Sequence, residues 1–527
     1  MIARKTNPKD KYRLLVSTEN LSDLSTNAAL RLIALLVDLS LDLRKTEGLD
    51  RAIRLSEELQ ERQLTARQSA TSHYFLANAW ANRKQLTKAD DHVWAWEQQE
   101  TEMEIFHLRS ALKKDFSGEL PKERRCQIMT NLANLFSEIG RSVESIEYWD
   151  RSLAIMPSFA MARGNKGYGF ASYARSLYDQ GHAAVFLKFA HADLESALSS
   201  KLHEDAKEVF AKQRQWIESV LSPELINKDI DLHNFSLGSS QEEILYRQWC
   251  LENRLFLNPL NDLGPFPIAA RDVLTTPAIV TGIREGPYYQ GFFNQMKQEF
   301  VSSRRLYYEG ISAQQPHFSD RDVLLYNTLD YPSYSLAIEK VKAAFRMTYS
   351  LSDKIAYFLN EYLDLSVRRN KVYFKTIWYT LQSKSKGLRP NLQQRKNWPL
   401  RGLFWLSKDL FEDKPGFKEF TEPDAQELYD IRNHLEHRYL KLHDDLWPGP
   451  SSDNKETVLG LTDTLAFSMY RRDFEAKTLR VIKMMRAAMI YLSLAIHCEE
   501  KQRAGKIGPD CIVPGIPLDV WENDWKL

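Results

Sequence analysis

The stretch Leu132-Ala133-Asn134-Leu135-Phe136, read on through Gly140 to Pro157, decides the fold. Leu132, Ala133 and Phe136 share one face of a helix. Gly140 then stops that helix, since glycine readily takes the backbone conformation that ends one. A second amphipathic helix follows with Ile146, Trp149 and Leu153 inward, and Pro157 closes the unit. Ala133 is the small residue at which the two helices cross; a larger side chain there would push them apart.

The order large, small, aromatic, Gly, small, aromatic, Pro resembles a tetratricopeptide repeat of about 34 residues. Leu76-Ala77-Asn78-Ala79-Trp80 is similar to Leu132–Phe136, and Gly164 to Ala174 starts a further unit with Gly167 and Phe170 at matching offsets. A helix from Leu49 to Leu64 fits less well, and Asp90 to Ser117 departs from the pattern. The front of the chain reads as roughly four or five helix pairs between about residues 25 and 220. Such arrays bury a core by stacking, and their concave face commonly binds a peptide or partner protein. The same residues also suit a pure scaffold for the back half.

At 527 residues the chain is too long for one core. With 43% hydrophobic and 27% charged residues it is neither fibrous nor disordered, and a formal net charge of +1 names no partner. Cys126, Cys250, Cys498 and Cys511 lie too far apart for a zinc or redox motif, which suits a reducing compartment. The N-terminus is polar, without the apolar core of a signal peptide. The longest apolar stretch, Ala487 to Ile496, is interrupted by Ser493 and is about half of the ~20 residues a membrane span needs. These features predict a soluble cytoplasmic protein with no membrane partner.

From about Ser222 to Ser319 prolines 259, 265, 267, 277 and 287 break the helical rhythm. The expected organisation is a repeat domain over 1–225, an irregular connector over 226–285 and a second helical domain over 286–527. The overall class is all-α with little or no sheet. Helices are expected at Phe292–Gly310, Ser335–Leu363, Lys371–Leu381, Leu400–Phe411, Asp424–Leu442 and Thr464 to about Glu500. Between Ser366 and Lys408 there is no Asp or Glu, whereas Arg368, Arg369, Lys371, Lys375, Lys384, Lys386, Arg389, Arg395, Lys396, Arg401 and Lys408 are present. Basic charge attracts phosphate, and aromatic rings such as Tyr373, Phe374, Trp378, Tyr379 and Trp398 can stack unpaired bases. The first nine of these cations, through Lys396, are the candidate RNA contacts. The other reading, preferred for the rings, makes the aromatics core and the charges a solvated face.

Near the C-terminus the chain reads Asp430-Ile431-Arg432-Asn433-His434-Leu435-Glu436-His437-Arg438-Tyr439. On a helix, Leu428, Ile431, Leu435, Tyr439 and Leu442 form a core stripe, and Asp430, Asn433, His434, His437 and Lys441 face away from it. In one reading Arg432 pairs with Glu436 at i,i+4 and His437 is solvated. No Walker loop, G-x-S-x-G or H-E-x-x-H is present. His434, His437 and Asp430 lack a further convincing metal ligand, so neither metal nor cofactor is expected.

Arg432-Asn433-x-x-x-His437 resembles the R-x(4–6)-H motif of HEPN ribonucleases, including the polar residue after the arginine. The helices around it, Asn370–Leu410 and Thr464–His497, are similar to the LA2681-like branch of that superfamily. Tetratricopeptide-like repeats in front suit that branch, and the resemblance covers about residues 285 to 500. It implies an all-helical bundle with RNA as substrate and metal-independent cleavage, in which a 2′-hydroxyl attacks its own phosphate. The products would be a 2′,3′-cyclic phosphate and a 5′-hydroxyl. It further implies His437 as general acid or base, Arg432 as phosphate stabiliser and Asn433 as an orienting residue. His434, Asp430 and Glu436 are auxiliary candidates. Residues five apart on a regular helix point roughly 140° apart, so Arg432 and His437 of one chain do not easily converge. A homodimer with a shared cleft, or a helix end near the motif, would resolve this. The resemblance also implies a toxin-like effector in bacterial defence against phage. The competing class is a non-catalytic scaffold or RNA-binding protein.

Overall fold

Side-chain caps fix where the first helices begin. The Asn7 side chain accepts the Lys9 N–H ahead of α1 (Pro8–Val16), and Ser25 accepts the Ala28 N–H ahead of α2 (Thr26–Asp42). The structure, a computed structural model, describes residues 7–87, 94–115, 118–282, 285–326, 328–411, 425–444, 463, 465–506, 515 and 517–526.

Next come α3 (Thr46–Gln60), α4 (Ala66–Thr87), α5 (Gln99–Lys114), α6 (Lys122–Glu138), α7 (Ser142–Ile155), α8 (Ala160–Ala174), α9 (Gln180–Leu198) and α10 (Glu204–Val220). They pack as successive pairs, α2 on α3, α4 on α5, α6 on α7 and α8 on α9, with α10 closing on the last pair. The front of the chain is therefore a tetratricopeptide-like array. The segment that departs from the repeat pattern still supplies a helix, α5, as the partner of α4. Between α6 and α7, Gly140 takes φ +91°, and Arg141 N–H reaches back to Phe136 O at 2.7 Å. That is a Schellman-type stop. Leu132, Ala133, Phe136, Ile146 and Trp149 are buried as the spacing requires.

The connector is less irregular than its prolines suggest. It holds α12 (Gln241–Glu252), and α11 (Pro223–Asn227) straddles its start. Its later loop is pinned by Arg486, which donates to Asp262 at 2.6 Å and to the carbonyls of Phe256 and Asn258 at 2.6 and 3.0 Å.

The second half contains α13 (Tyr288–Ser312), α14 (Leu336–Tyr362), α15 (Pro390–Gln393), α16 (Trp398–Phe411), α17 (Ala425–His437), β1 (Tyr439–His443), β2 (Ala466–Tyr470) and α18 (Arg471–Ala504). The helix α18 runs through the middle, contacting α13, α14 and α16, and the apolar run Ala487–Ile496 is buried on all sides. No helix among the described residues is long and apolar enough to cross a membrane.

Three expected helices are corrected, one of them, from Thr464, because Ala466–Tyr470 form β2 and the helix begins only at Arg471. Residues 371–381 are not an α-helix: the segment is 3-10 turns with positive φ at Leu381, and a bridge joins Tyr379 to Leu388. Phe374, Ile377 and Trp378 have helical spacing, but they are buried by packing under Trp96 and Phe404. The third correction is that α17 ends at His437, and the following residues form β1. This strand pairs in parallel with β2, from Tyr439 opposite Ala466 to His443 opposite Tyr470. Lys441, expected on the polar face, is 4% exposed and held between Asp330 and Asp463, both at 2.6 Å.

One hydrophobic core runs from Ala70 in the array to Ile496 in α18, and a smaller one gathers Tyr12 to Trp80. The seam between array and second half is close and charged. Gly140 and Gly402 approach so nearly that a Cβ on either would overlap the other side's backbone. Asp409 on α16 receives two hydrogen bonds from Arg109, at 2.5 and 2.8 Å, and another from Arg141. Burial would raise the Asp409 pKa, but the two guanidiniums outweigh it and hold the carboxylate far below its ordinary range.

Candidate active site

The helix α17 lies on α14 and α16 through Leu428, Ile431 and Leu435, all buried. That stripe fixes where the motif points. Arg432 sits over the ring of Tyr349, 5.9 Å from its centroid, and lines a cavity of about 470 Å³. Glu436, one turn on, lines the same cavity. Its nearest cation is Arg346 at 4.0 Å, and no ion pair joins Arg432 to Glu436 among the described residues. Thus the simple i,i+4 pairing within α17 is not adopted.

His437 is the last residue of α17, exposed and outside that cavity. Within one chain Arg432 and His437 are not brought together, as their helical angle implies. Asn433 is half-buried between them in sequence. The ring of His434 turns towards β2, where it stacks on Phe467 at 5.1 Å, and its Nδ1 lies 2.7 Å from the Asp430 carbonyl. Asp430 is half-buried. Arg346 donates to the Leu435 carbonyl at 2.8 Å, satisfying one of the acceptors that a helix end leaves open.

The facing wall of the cavity comes from α14, whose residues were not singled out in the sequence. Arg346, Tyr349, Ser350, Asp353, Lys354 and Tyr357 recur every three or four residues. They form one polar-aromatic stripe, while Val341, Phe345, Thr348, Ile355 and Leu359 are buried. That two-sided pattern, ending in the carboxylate and cation Asp353-Lys354, was the available signal. Lys354 is paired with Glu299. Asp353 accepts the Phe374 N–H at 2.9 Å; burial raises its pKa, opposed by that hydrogen bond and by Arg432. Burial likewise pushes up the Tyr349 hydroxyl.

The basic stretch divides into two groups. Arg368, Arg369, Lys371, Lys384, Lys386 and Lys396 are exposed, and Lys375 is half-buried. Arg369 pairs with Glu361 at 3.0 Å. Two other members serve the fold. Arg389 donates to the Ile377 and Leu365 carbonyls at 2.8 and 3.1 Å, and Arg395 pairs with Glu499. Of the interleaved rings, Phe374, Trp378 and Tyr379 are core, Trp398 is half-buried and only Tyr373 is exposed.

No curated protein and no solved structure matches the chain. Residues 280–499 match the family model of the LA2681-like HEPN domain, which spans α13 to α18 and so includes the cavity and the motif. HEPN domains are generally ribonucleases, and here Arg432 lines the cavity while His437 is exposed at the helix end. Residues 280–499 thus match an LA2681-like HEPN domain behind a tetratricopeptide-like array, and nuclease-type function is what that match suggests.

Proposed function

We propose that the protein is a metal-independent endoribonuclease that works as a homodimer, with Arg432, Asn433 and His437 as its catalytic set. The observation that carries this reading is the split orientation of the motif. Arg432 lines an aromatic cavity while His437 stands exposed at the helix end. Two such ends from two copies supply both a phosphate clamp and a proton-transfer group to one strand.

In the reaction, the 2′-oxygen of the substrate forms a bond to the adjacent phosphorus as its proton passes to a base. The bond to the 5′-oxygen breaks, and that oxygen leaves with a proton from an acid. One partner's His437 serves as base and the other's as acid. Arg432 remains charged throughout and stabilises the negative charge that builds on the non-bridging oxygens. Asn433 orients one of these groups. The products are a 2′,3′-cyclic phosphate and a 5′-hydroxyl. The exposed cations from Arg368 to Lys396 carry the flanking strand by phosphate attraction. The array recruits or senses a protein or peptide, and the biological setting we infer is a toxin-like effector in anti-phage defence.

The test incubates wild type, His437→Ala and Arg432→Ala with total RNA in excess EDTA. Cleavage by wild type, reduced by at least about 100-fold in either variant, is expected, since a general acid–base group supplies about 10²–10⁴-fold. Equal cleavage by all three, or products with 5′-phosphates, would overturn the assignment.

A further inference from the structure

The cavity beside Arg432 is more elaborate than a phosphate clamp requires, and its chemistry suits a base as well as a backbone. We propose that it is a nucleobase pocket that selects guanine next to the scissile phosphate. This rests on the nuclease reading and adds a substrate preference to it.

The volume, about 470 Å³, falls within the range of small-ligand sites. Its flat surfaces are Phe292 and Tyr357, whose centroids lie 5.8 Å apart at 82°, and Tyr349 under the Arg432 guanidinium. Unpaired RNA bases are held by stacking on such rings and guanidinium planes while hydrogen bonds read their edges. The lining also carries two carboxylates, Asp353 and Glu436. An ionised carboxylate only accepts hydrogen bonds, so it reads the donor edge of a base. Guanine alone presents two parallel donors there, its N1–H and its 2-amino group, which match the two oxygens of one carboxylate. Adenine and cytosine offer a single exocyclic amine, and uracil a single ring N–H.

Asp353 is the better reader of the two. Its Oδ1 is fixed by the Phe374 N–H at 2.9 Å, and its Oδ2 has no hydrogen bond among the described residues. Arg346, also in the lining and hydrogen-bonded to the Leu435 carbonyl, adds positive charge for the phosphate of the same nucleotide. The base therefore enters between α13 and α14, and its phosphate lies towards α17.

The experiment has two arms. In the first, guanosine, adenosine, cytidine and uridine 5′-monophosphates are titrated calorimetrically into the full-length His437→Ala protein. It is repeated with Asp353→Asn and Tyr357→Ala added. Asparagine keeps an acceptor for the Phe374 N–H, so this variant retains the local fold. Guanosine monophosphate should bind about 10- to 100-fold more tightly than the others, the range of one bidentate contact. Asp353→Asn should abolish that preference, and Tyr357→Ala should weaken all four. Equal affinities, no binding, or a preference unchanged in Asp353→Asn would overturn the pocket. In the second arm, wild-type cleavage sites in total RNA are mapped. Cuts without flanking guanine would sink the pocket and leave the nuclease standing. Guanine binding in an enzyme that cuts nothing would do the reverse.

Discussion

Between α4 and α5, His73 and His107 are buried with their Nδ1 atoms 3.0 Å apart, an arrangement that tolerates at most one shared proton. Burial lowers both pKa values, to about 4 for His73, with Lys114 adding to it, and to about 3 for His107, with His73 adding to it. The unfolded chain binds these protons near the ordinary histidine value, so stability is fully present above about pH 6.5 and is lost as pH falls towards 4. The loss should approach about 3 kcal/mol, reasoning from one proton. Glu104, packed nearby on α5, acts with opposite sign. Burial lifts its carboxyl to about 7 despite Lys84, so it costs stability as pH rises from the ordinary carboxyl range to neutrality. The measurement is therefore a difference: thermal midpoints of wild type and His73→Gln between pH 7 and 4. The variant should have the flatter acid limb. Parallel curves would mean that the pair does not titrate on unfolding.

Among the elements, the segment ahead of α14 stands apart for what it leaves in solvent. Phe318, Val323, Leu324, Leu325, Tyr326, Leu329, Tyr331 and Tyr334 are all exposed, Leu324 and Tyr326 to 79% and 81%. Asp322, Leu329 and Tyr331 have positive φ. The segment thus leaves eight large apolar or aromatic side chains in solvent, and large exposed apolar patches mark interaction sites. The patch adjoins the motif, since the hydroxyls of Tyr334 and Tyr439 are 2.9 Å apart, two residues beyond His437. We therefore assign it to the second copy in the proposed dimer. Leu324→Asp with Tyr326→Asp should convert a dimer to a monomer in sedimentation and lower RNA cleavage at least tenfold. A wild-type monomer, or a double variant still dimeric, would refute that placement. Very little of this element was legible in the sequence, where it lay unassigned between the expected helices Phe292–Gly310 and Ser335–Leu363. Periodicity revealed the repeats at Leu132–Phe136 and the α17 stripe at Leu428, Ile431 and Leu435, because these depend on neighbours one turn apart. It could not reveal the strand after His437: Lys441 is neutralised by Asp330, 111 residues away. It also mistook the spacing of Phe374 and Trp378 for a helix, since tertiary burial alone accounts for them. The motif string itself was readable, while the α14 stripe opposite it went unmarked within the expected helix Ser335–Leu363.

At the scale of the whole molecule, the contact of Gly140 with Gly402 makes a prediction whose sign is informative. Gly402 lies inside α16, where alanine would ordinarily favour the helix by about 1 kcal/mol. Here an added methyl meets the backbone of Gly140, so Gly402→Ala should instead destabilise the protein by about 1–3 kcal/mol. Chemical denaturation reads this directly, and a stabilised variant would mean that the seam opens readily. Asp409, bound by arginines from α5 and α7, ties the same seam shut. The continuous core from Ala70 to Ile496 has a consequence for how the protein can be divided. The gene can be split between the array and the HEPN domain, but neither product would be a finished object. Each half would carry an interior face of the other. Co-expressed as separate polypeptides, they should find one another and restore one particle, like two pieces of a broken casting.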